Sequence, residues 1–163
     1  MTVTVRAAAA ADVEAICAIH NQGIVDRIAT LDTTLRTPDD CRAWLEERGP
    51  RQPVLVADLE GLVVGWASLN RFNPRPAYDH VADFSVYVER EWRGKGVGRQ
   101  LLDCLIARAR DAGYHKMVLA ALSYNSAGLA LYTRAGFTHV GIYYEQGQLD
   151  GEWVDVAIME KLL

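Results

Sequence analysis

Hydrophobic and polar positions follow two different periods along this chain, and each change of period marks an element. Residues 3–6 alternate with a period of two and predict a short strand. Val13, Ile16, Cys17 and His20 then recur at helical spacing, with Asp12 placed to cap the helix. After a loop at residues 26–32, Thr37-Pro38 opens a second helix by the cap-then-proline signal, running past Trp44 and Leu45 to Gly49-Pro50. Residues 53–58 and 62–70 are β-branched, apolar runs separated by Leu59-Glu60-Gly61, a hairpin signal. A loop rich in turn residues and arginine (71–78) leads to residues 81–88. There Phe84, Val86 and Val88 fall on one strand face, and Asp83, Ser85 and Tyr87 on the other.

The period then returns to helical, with Val97, Leu101, Leu105 and Ala109 ending at Gly113. Residues 117–122 read as a strand and 125–135 as a short helix stopped by Gly136. Two last strands, 138–144 and 152–160, are split by a Gln-Gly-Gln-Leu-Asp-Gly turn. The predicted order is β-α-α-β-β-β-α-β-α-β-β. It describes an α/β chain whose mixed sheet carries helices on both faces. No linker interrupts it, so residues 1–163 are expected to form one domain.

Composition narrows the function classes. No run approaches the roughly 18 apolar residues of a membrane span, and the start lacks the basic head and apolar stretch of a signal peptide. Cys17, Cys41 and Cys104 have no metal or disulfide spacing, nor do His20, His80, His115 and His139, so no metal is expected and a reducing cytoplasm fits best. Cys17 and Cys104 fall at apolar helical positions and read as small core residues, and Cys41 has no evident base beside it. Trp44, Trp66 and Trp153 read as core, whereas Trp92 sits beside a basic turn. A formal net charge of −4 speaks against a nucleic-acid binder.

That basic turn is the sharpest local feature. Arg93-x-x-Gly96-x-Gly98 lies between a strand and a helix, where unpaired N–H groups and the helix dipole seat a phosphate, and glycine lets the backbone approach it. Arg90, Arg93, Lys95 and Arg99 outnumber Glu89 and Glu91 there, a local surplus suited to a polyphosphate. A Walker A loop would need Ser or Thr after Gly-Lys, and Gly96 stands in that place. A dinucleotide fingerprint fails on its last spacing and on its place after a hairpin. What remains open is a glycine-rich turn with a solvated basic face, or the [Q/R]-x-x-G-x-[G/A] pyrophosphate loop that it resembles, that of the GNAT acetyltransferases.

The rest of the chain resembles that family over its whole length. The segment from Asn125 to Phe137 is similar to its N-x-x-[A/S]-x-x-L-Y-x-x-x-G-F pattern. More narrowly, Ala29-Thr30-Leu31-Asp32, Arg75-x-Ala77-Tyr78, Asp83-x-Ser85-Val86-Tyr87-Val88 and Gly151-x-Trp153-x-Asp155-Val156 look like the phosphinothricin and methionine sulfoximine acetyltransferase branch. The resemblance implies an acetyl-CoA-dependent N-acetyltransferase acting on the amine of a small amino-acid-like molecule, in a homodimer. A protein N-terminus or a polyamine is the alternative acceptor, and a silent acetyl-CoA-binding module the alternative class.

It further implies that the turn Arg93, Gly94, Lys95, Gly96, Val97, Gly98 and Arg99 holds the pyrophosphate. Val86, Tyr87, Val88 and Asn125 would meet the pantetheine arm, with backbone N–H groups of the splayed strand steadying the thioester oxygen. Asp83 would accept the amine proton through a water, and Tyr132 would protonate the thiolate. Asp32, Arg75, Tyr78 and Ser85 would face the amine substrate, Arg75 pairing with its acid group. The chain departs from the branch at Leu31 (usually Phe), at Asp32 and Asp83 (usually Glu) and at Tyr132 (often His), departures that bear on specificity more than on reaction type.

Overall fold

The two periods resolve into seven strands and four α-helices among residues 2–163, which the computed structural model describes. In chain order they are β1 (Thr4–Ala7), α1 (Val13–Asp26), α2 (Pro38–Glu46), β2 (Val54–Leu59), β3 (Leu62–Arg71), β4 (Val81–Val88), α3 (Val97–Asp111), β5 (Lys116–Leu122), α4 (Ser126–Arg134), β6 (Thr138–Leu149) and β7 (Glu152–Leu162). This is the predicted order. The strands form one sheet, β1-β2-β3-β4-β5-β7-β6, antiparallel except where β4 meets β5. No helix is long and apolar enough to cross a membrane.

Helices cover both faces of the sheet. On one, Leu101, Leu102 and Leu105 of α3 are wholly buried against Leu55, Leu69, Phe84 and Met117. Truncating any one of the three to alanine would cost about 2–5 kcal/mol, from lost transfer energy and the cavity left behind. On the other, Ile16 and Ile19 of α1 meet Val54, Val56 and Trp66. Gly23 sits inside α1, where glycine is normally unfavourable. A Cβ there would lie 2.9 Å from Cε1 of Tyr87, so close packing of helix on strand requires the bare backbone.

Thr37 caps α2 as predicted, its hydroxyl accepting from the Asp40 N–H at 3.1 Å while the Asp40 carboxylate accepts from the Thr37 N–H at 3.0 Å. Asp12 does not cap α1. Its carboxylate accepts from the Ala9 N–H at 2.7 Å and from Arg6 at 2.8 and 2.9 Å, tying a single 3₁₀ turn to β1. The last hairpin also differs from expectation. β6 runs through the supposed six-residue turn to Leu149, and the reversal uses only Asp150 and Gly151, at φ 52° and 82°. Asp-Gly supplies the two left-handed residues of a type I′ turn, and bulges in β6 absorb the surplus chain. Two core assignments are corrected with it, since Trp153, near the start of β7, is 62% exposed and Cys104 faces solvent from α3.

Candidate active site

β4 and β5 pair through only three residues, Val81 with Lys116, Ala82 with Met117 and Asp83 with Val118. Beyond Asp83 the strands part. β4 stays paired with β3 on its other side up to Val88, and the Glu89 N–H donates to Val64 O at 2.9 Å. Backbone groups alternate in an antiparallel ladder, so those of Phe84, Val86 and Val88 turn away from β3 and into the gap. The Val88 carbonyl is taken by Arg93 Nε at 3.2 Å. The N–H groups of Val86 and Val88 and the Val86 carbonyl line the opening.

Two cavities fill this gap. One, of about 480 Å³, is bounded by Val86, Val88, the glycine turn and Leu131. The other, of about 280 Å³, is bounded by Thr30, Leu31, Asp83, Ser85 and β5. They share Ala29, Val86, Tyr87, Asn125 and Tyr132, and so form one trough from the turn to Asp83. Gly94 and Gly96 at its open end adopt φ of 74° and 87°, a region that side chains disfavour, and no neighbour lies within 4 Å of a Cβ placed on either. The first-turn amides of α3 have no partner within the helix and face this end.

The charges of the turn are less free than their number suggests. Asp26, at the end of α1, bonds Arg90 at 2.8 Å and Arg93 at 2.7 Å. The Arg90 hydrogen bond first, and Arg93 with it, holds the Asp26 carboxyl below its ordinary range. Arg99 is paired with Asp103 at 2.9 Å. Only Lys95, 5.0 Å from the centre of the Trp92 ring, has no carboxylate partner among the described residues.

At the closed end, Asp83 reaches the trough from the α1 side of the sheet, across from Asn70 of β3. Burial pushes its carboxyl up to about 6, against the smaller pull of the Asn70 amide and the Phe84 N–H. Tyr132 enters from the other side, edge-on to Phe84 with centroids 5.7 Å apart. Burial raises its phenol to about 12, and its hydroxyl makes no hydrogen bond within the described residues. Asn125 spends its side-chain oxygen on the Gly128 N–H at 3.1 Å, capping α4 and leaving its NH₂ unused. Among the described residues no cluster of three or more His, Cys, Asp or Glu could hold a metal ion.

Residues 24–137 match the acetyltransferase (GNAT) family. The chain belongs to that family. An L-methionine sulfoximine/L-methionine sulfone acetyltransferase of Pseudomonas aeruginosa is 38% identical over 162 residues, covering 98% of this chain and 94% of that protein. The solved GNAT phosphinothricin acetyltransferase of Sinorhizobium meliloti, in complex with acetyl-CoA, superimposes with a TM-score of 0.93 at 32% identity, covering 100% of this chain and 89% of that one. A ribosomal-protein-alanine N-acetyltransferase structure from Brucella melitensis gives 0.95 at 38% identity, with 98% and 99% covered.

This acetyltransferase thus uses acetyl-CoA, and its trough fits that cosubstrate: a bare-backbone turn for a pyrophosphate, unpaired strand amides for an amide-bearing arm, and a buried end for the thioester. Of the expected substrate residues, Ser85 lines the buried cavity. Asp32 instead lies on the surface, 3.6 Å from Arg36. Tyr78 packs edge-on against Phe72 at 5.6 Å, and with Arg71 borders a separate hollow. Arg75 is exposed on the same loop, and its side chain makes no ion pair among the described residues. No Lys, Arg or His lines the buried cavity. The sequence reading missed Asn70, whose only signal was its register opposite Asp83.

Proposed function

We propose that residues 1–163 form one domain that transfers the acetyl group of acetyl-CoA to the primary amine of a small amino-acid-like molecule, of the phosphinothricin or methionine sulfoximine type, as a cytoplasmic detoxification. The observation that carries this reading is the parting of β4 from β5, which joins a phosphate-ready turn to a buried carboxylate and phenol in one trough. The relatives' names supply the substrate class.

Acetyl-CoA brings the activated acetyl carbon. Amides of the turn from Gly94 to Arg99 hold its pyrophosphate, the N–H groups of Val86 and Val88 meet the arm and the thioester oxygen, and Asn125 donates its free NH₂ to the arm. Tyr87 walls the arm's path. Asp83 takes a proton from the substrate ammonium, through a water. With an ammonium pKa of about 9, a free aspartate near 3.9 would face a gap of about five units; at about 6 the gap is about three, a saving on the order of 3 kcal/mol. The amine nitrogen then bonds the acetyl carbon as the carbon–sulfur bond breaks, and Tyr132 donates its proton to the departing sulfur. Its raised pKa keeps that proton in place until then. The second proton shed by the acylated nitrogen returns through water to the Tyr132 phenolate.

Ser85 borders the amine, and Arg75, exposed on the loop before β4, meets its acid group, since the buried cavity holds a carboxylate and no cation of its own. Tyr78, held against Phe72 beside a separate hollow, does not border the amine. Asp32 stands farther out, toward the ammonium's route of entry. Two copies of the chain pair through β6, an edge strand that leaves Val140, Ile142, Tyr143 and Tyr144 exposed, with Trp153 beside it. Sedimentation showing a monomer would remove the dimer. A second reading, acetylation of a protein N-terminus, is favoured by the likeness to the ribosomal-protein-alanine enzyme. Coenzyme A release, measured with phosphinothricin, methionine sulfoximine, methionine sulfone, spermidine and an alanine-initiated peptide, separates the two. Turnover of the glutamate-like analogues supports the main reading; turnover of the peptide alone replaces it.

A further inference from the structure

On the face of the sheet that α1 and α2 cover, β3 and β4 set three side-chain pairs in register: Trp66 with Tyr87, Ser68 with Ser85, and Asn70 with Asp83. The last two pairs are polar within an apolar layer, and Ser68 is wholly buried. The Asn70 carboxamide is held by its oxygen, which accepts from the Ser68 hydroxyl at 3.0 Å and from the Arg48 guanidinium at 2.8 Å. Two donors on one atom decide which way the amide is turned. Its NH₂ is left toward the Ser85 hydroxyl, at 3.3 Å, and toward Asp83, whose charged form it favours.

Arg48 follows the C-terminus of α2 and is half-buried, and desolvation lowers its pKa. It has no carboxylate partner among the described residues. Its fork instead donates to Gln52 O at 2.9 Å, to Leu69 O and to the Asn70 oxygen, while the guanidinium lies 4.5 Å over the Trp44 ring. A half-buried cation without a counter-ion is costly to keep. A planar fork that spans two carbonyls and an amide oxygen is also something lysine cannot reproduce.

We propose that Arg48 is a positioning residue for the transfer: by gripping the Asn70 oxygen it turns the Asn70 NH₂ toward Ser85 and toward its ladder partner Asp83, and so favours the proton-accepting form of that carboxylate. This rests on the reading of Asp83 as the base. The other groups around Asp83 do not supply the effect. Tyr132 from α4 and Tyr87 on β4 are neutral phenols, Thr30 and Ser85 are uncharged hydroxyls, and β5 offers only apolar side chains. The Phe84 N–H is the one further donor that favours the charged form.

The test combines carbon-13 NMR titration of the Asp83 carboxyl with the pH dependence of kcat at saturating substrates, in Asn70→Ala, Arg48→Gln and Arg48→Lys. Asn70→Ala removes the donor and leaves the bonds of Arg48 to Gln52 and Leu69. Its Asp83 midpoint and its acid limb should rise together by about one unit, so that kcat falls about threefold at pH 6.5 and by only about a tenth at pH 8. Arg48→Gln should move both in the same direction by about half as much, and Arg48→Lys by less. An unmoved Asp83 titration in Arg48→Gln overturns the proposal whatever happens to kcat. If that variant does not fold, an unmoved titration in Asn70→Ala does the same. A titration that moves while the acid limb stays put sustains the link from Arg48 to Asp83 and refutes Asp83 as the base.

Discussion

Gly23→Ala pits two effects of opposite sign against each other, and the structure says which prevails. In an open helix the change would stabilise by roughly 0.5–1 kcal/mol, since alanine loses less backbone entropy than glycine. Here the new Cβ would stand 2.9 Å from Cε1 and 3.1 Å from Cδ1 of Tyr87, and 3.4 Å from the Ala29 Cβ. Tyr87 cannot easily yield, because its ring lies flat on Trp66, with centroids 4.8 Å apart and planes 10° from parallel, and against His20 at 5.1 Å. Overpacking of this kind costs about 1–3 kcal/mol. The net is a loss of about 1 kcal/mol, which lowers Tm by about 2–4 °C in a chain of this size. Tyr87 and Ala29 line both parts of the trough, so their displacement should also raise the KM for acetyl-CoA several-fold. Thermal unfolding and steady-state coenzyme A release measure the two quantities on one preparation. A variant more stable than the parent, with unchanged KM, would show that helix and strand are not in contact as described, and would refute the reasoning.

Other perturbations test the charges. Asp83 is held above its unfolded value near 3.9, at about 6, so the native state binds the extra proton between those limits. Its contribution to stability is fully present below pH 4 and is lost as pH rises through 6. Asp83→Asn should therefore raise stability at pH 7 by on the order of 3 kcal/mol, change little at pH 4, and abolish most turnover; equal stability changes at both pH values would contradict the burial. Lys95→Ala should raise the KM for acetyl-CoA about three- to tenfold, with an effect that shrinks in salt and with kcat unchanged, because Lys95 is the turn's unpaired cation. Arg75→Ala should raise the KM for an acid-bearing amine far more than that for acetyl-CoA, and parallel changes in both would remove Arg75 as the acid-group clamp.

The elements were legible because each rests on a local rule: period two in β4, period 3.6 in α3, Thr37-Pro38 before α2. The misreadings share a cause of the opposite kind. Asp12 has the composition of a cap, yet Arg6, on β1 rather than in the helix, claims its carboxylate. Asp150-Gly151 was in plain view as a hairpin signal, but it lay inside a longer run of turn-prone residues, and only strand pairing with β7 shows that β6 continues to Leu149. Charge in the glycine turn was counted from adjacent residues, whereas Asp26, which pairs with two of the arginines and offsets one of their charges, comes from the end of α1.

The same division runs through the site. Residue types at fixed spacing mark the glycine turn proposed for the pyrophosphate, since such a turn is built from consecutive residues. The chemistry at the buried end depends on what lies across a strand or behind it, and no spacing encodes that. Asp83 reads in sequence as an ordinary aspartate, too weak a base for an ammonium ion. Its proton affinity comes from burial where β4 leaves β5, and from Asn70 across the ladder. Such a site can shift its pH response through residues that never touch substrate. On the proposed reading, changes of substrate and changes of working pH arise at different positions, the first around Leu31 and Ser85, the second along the line from Asp83 through Asn70.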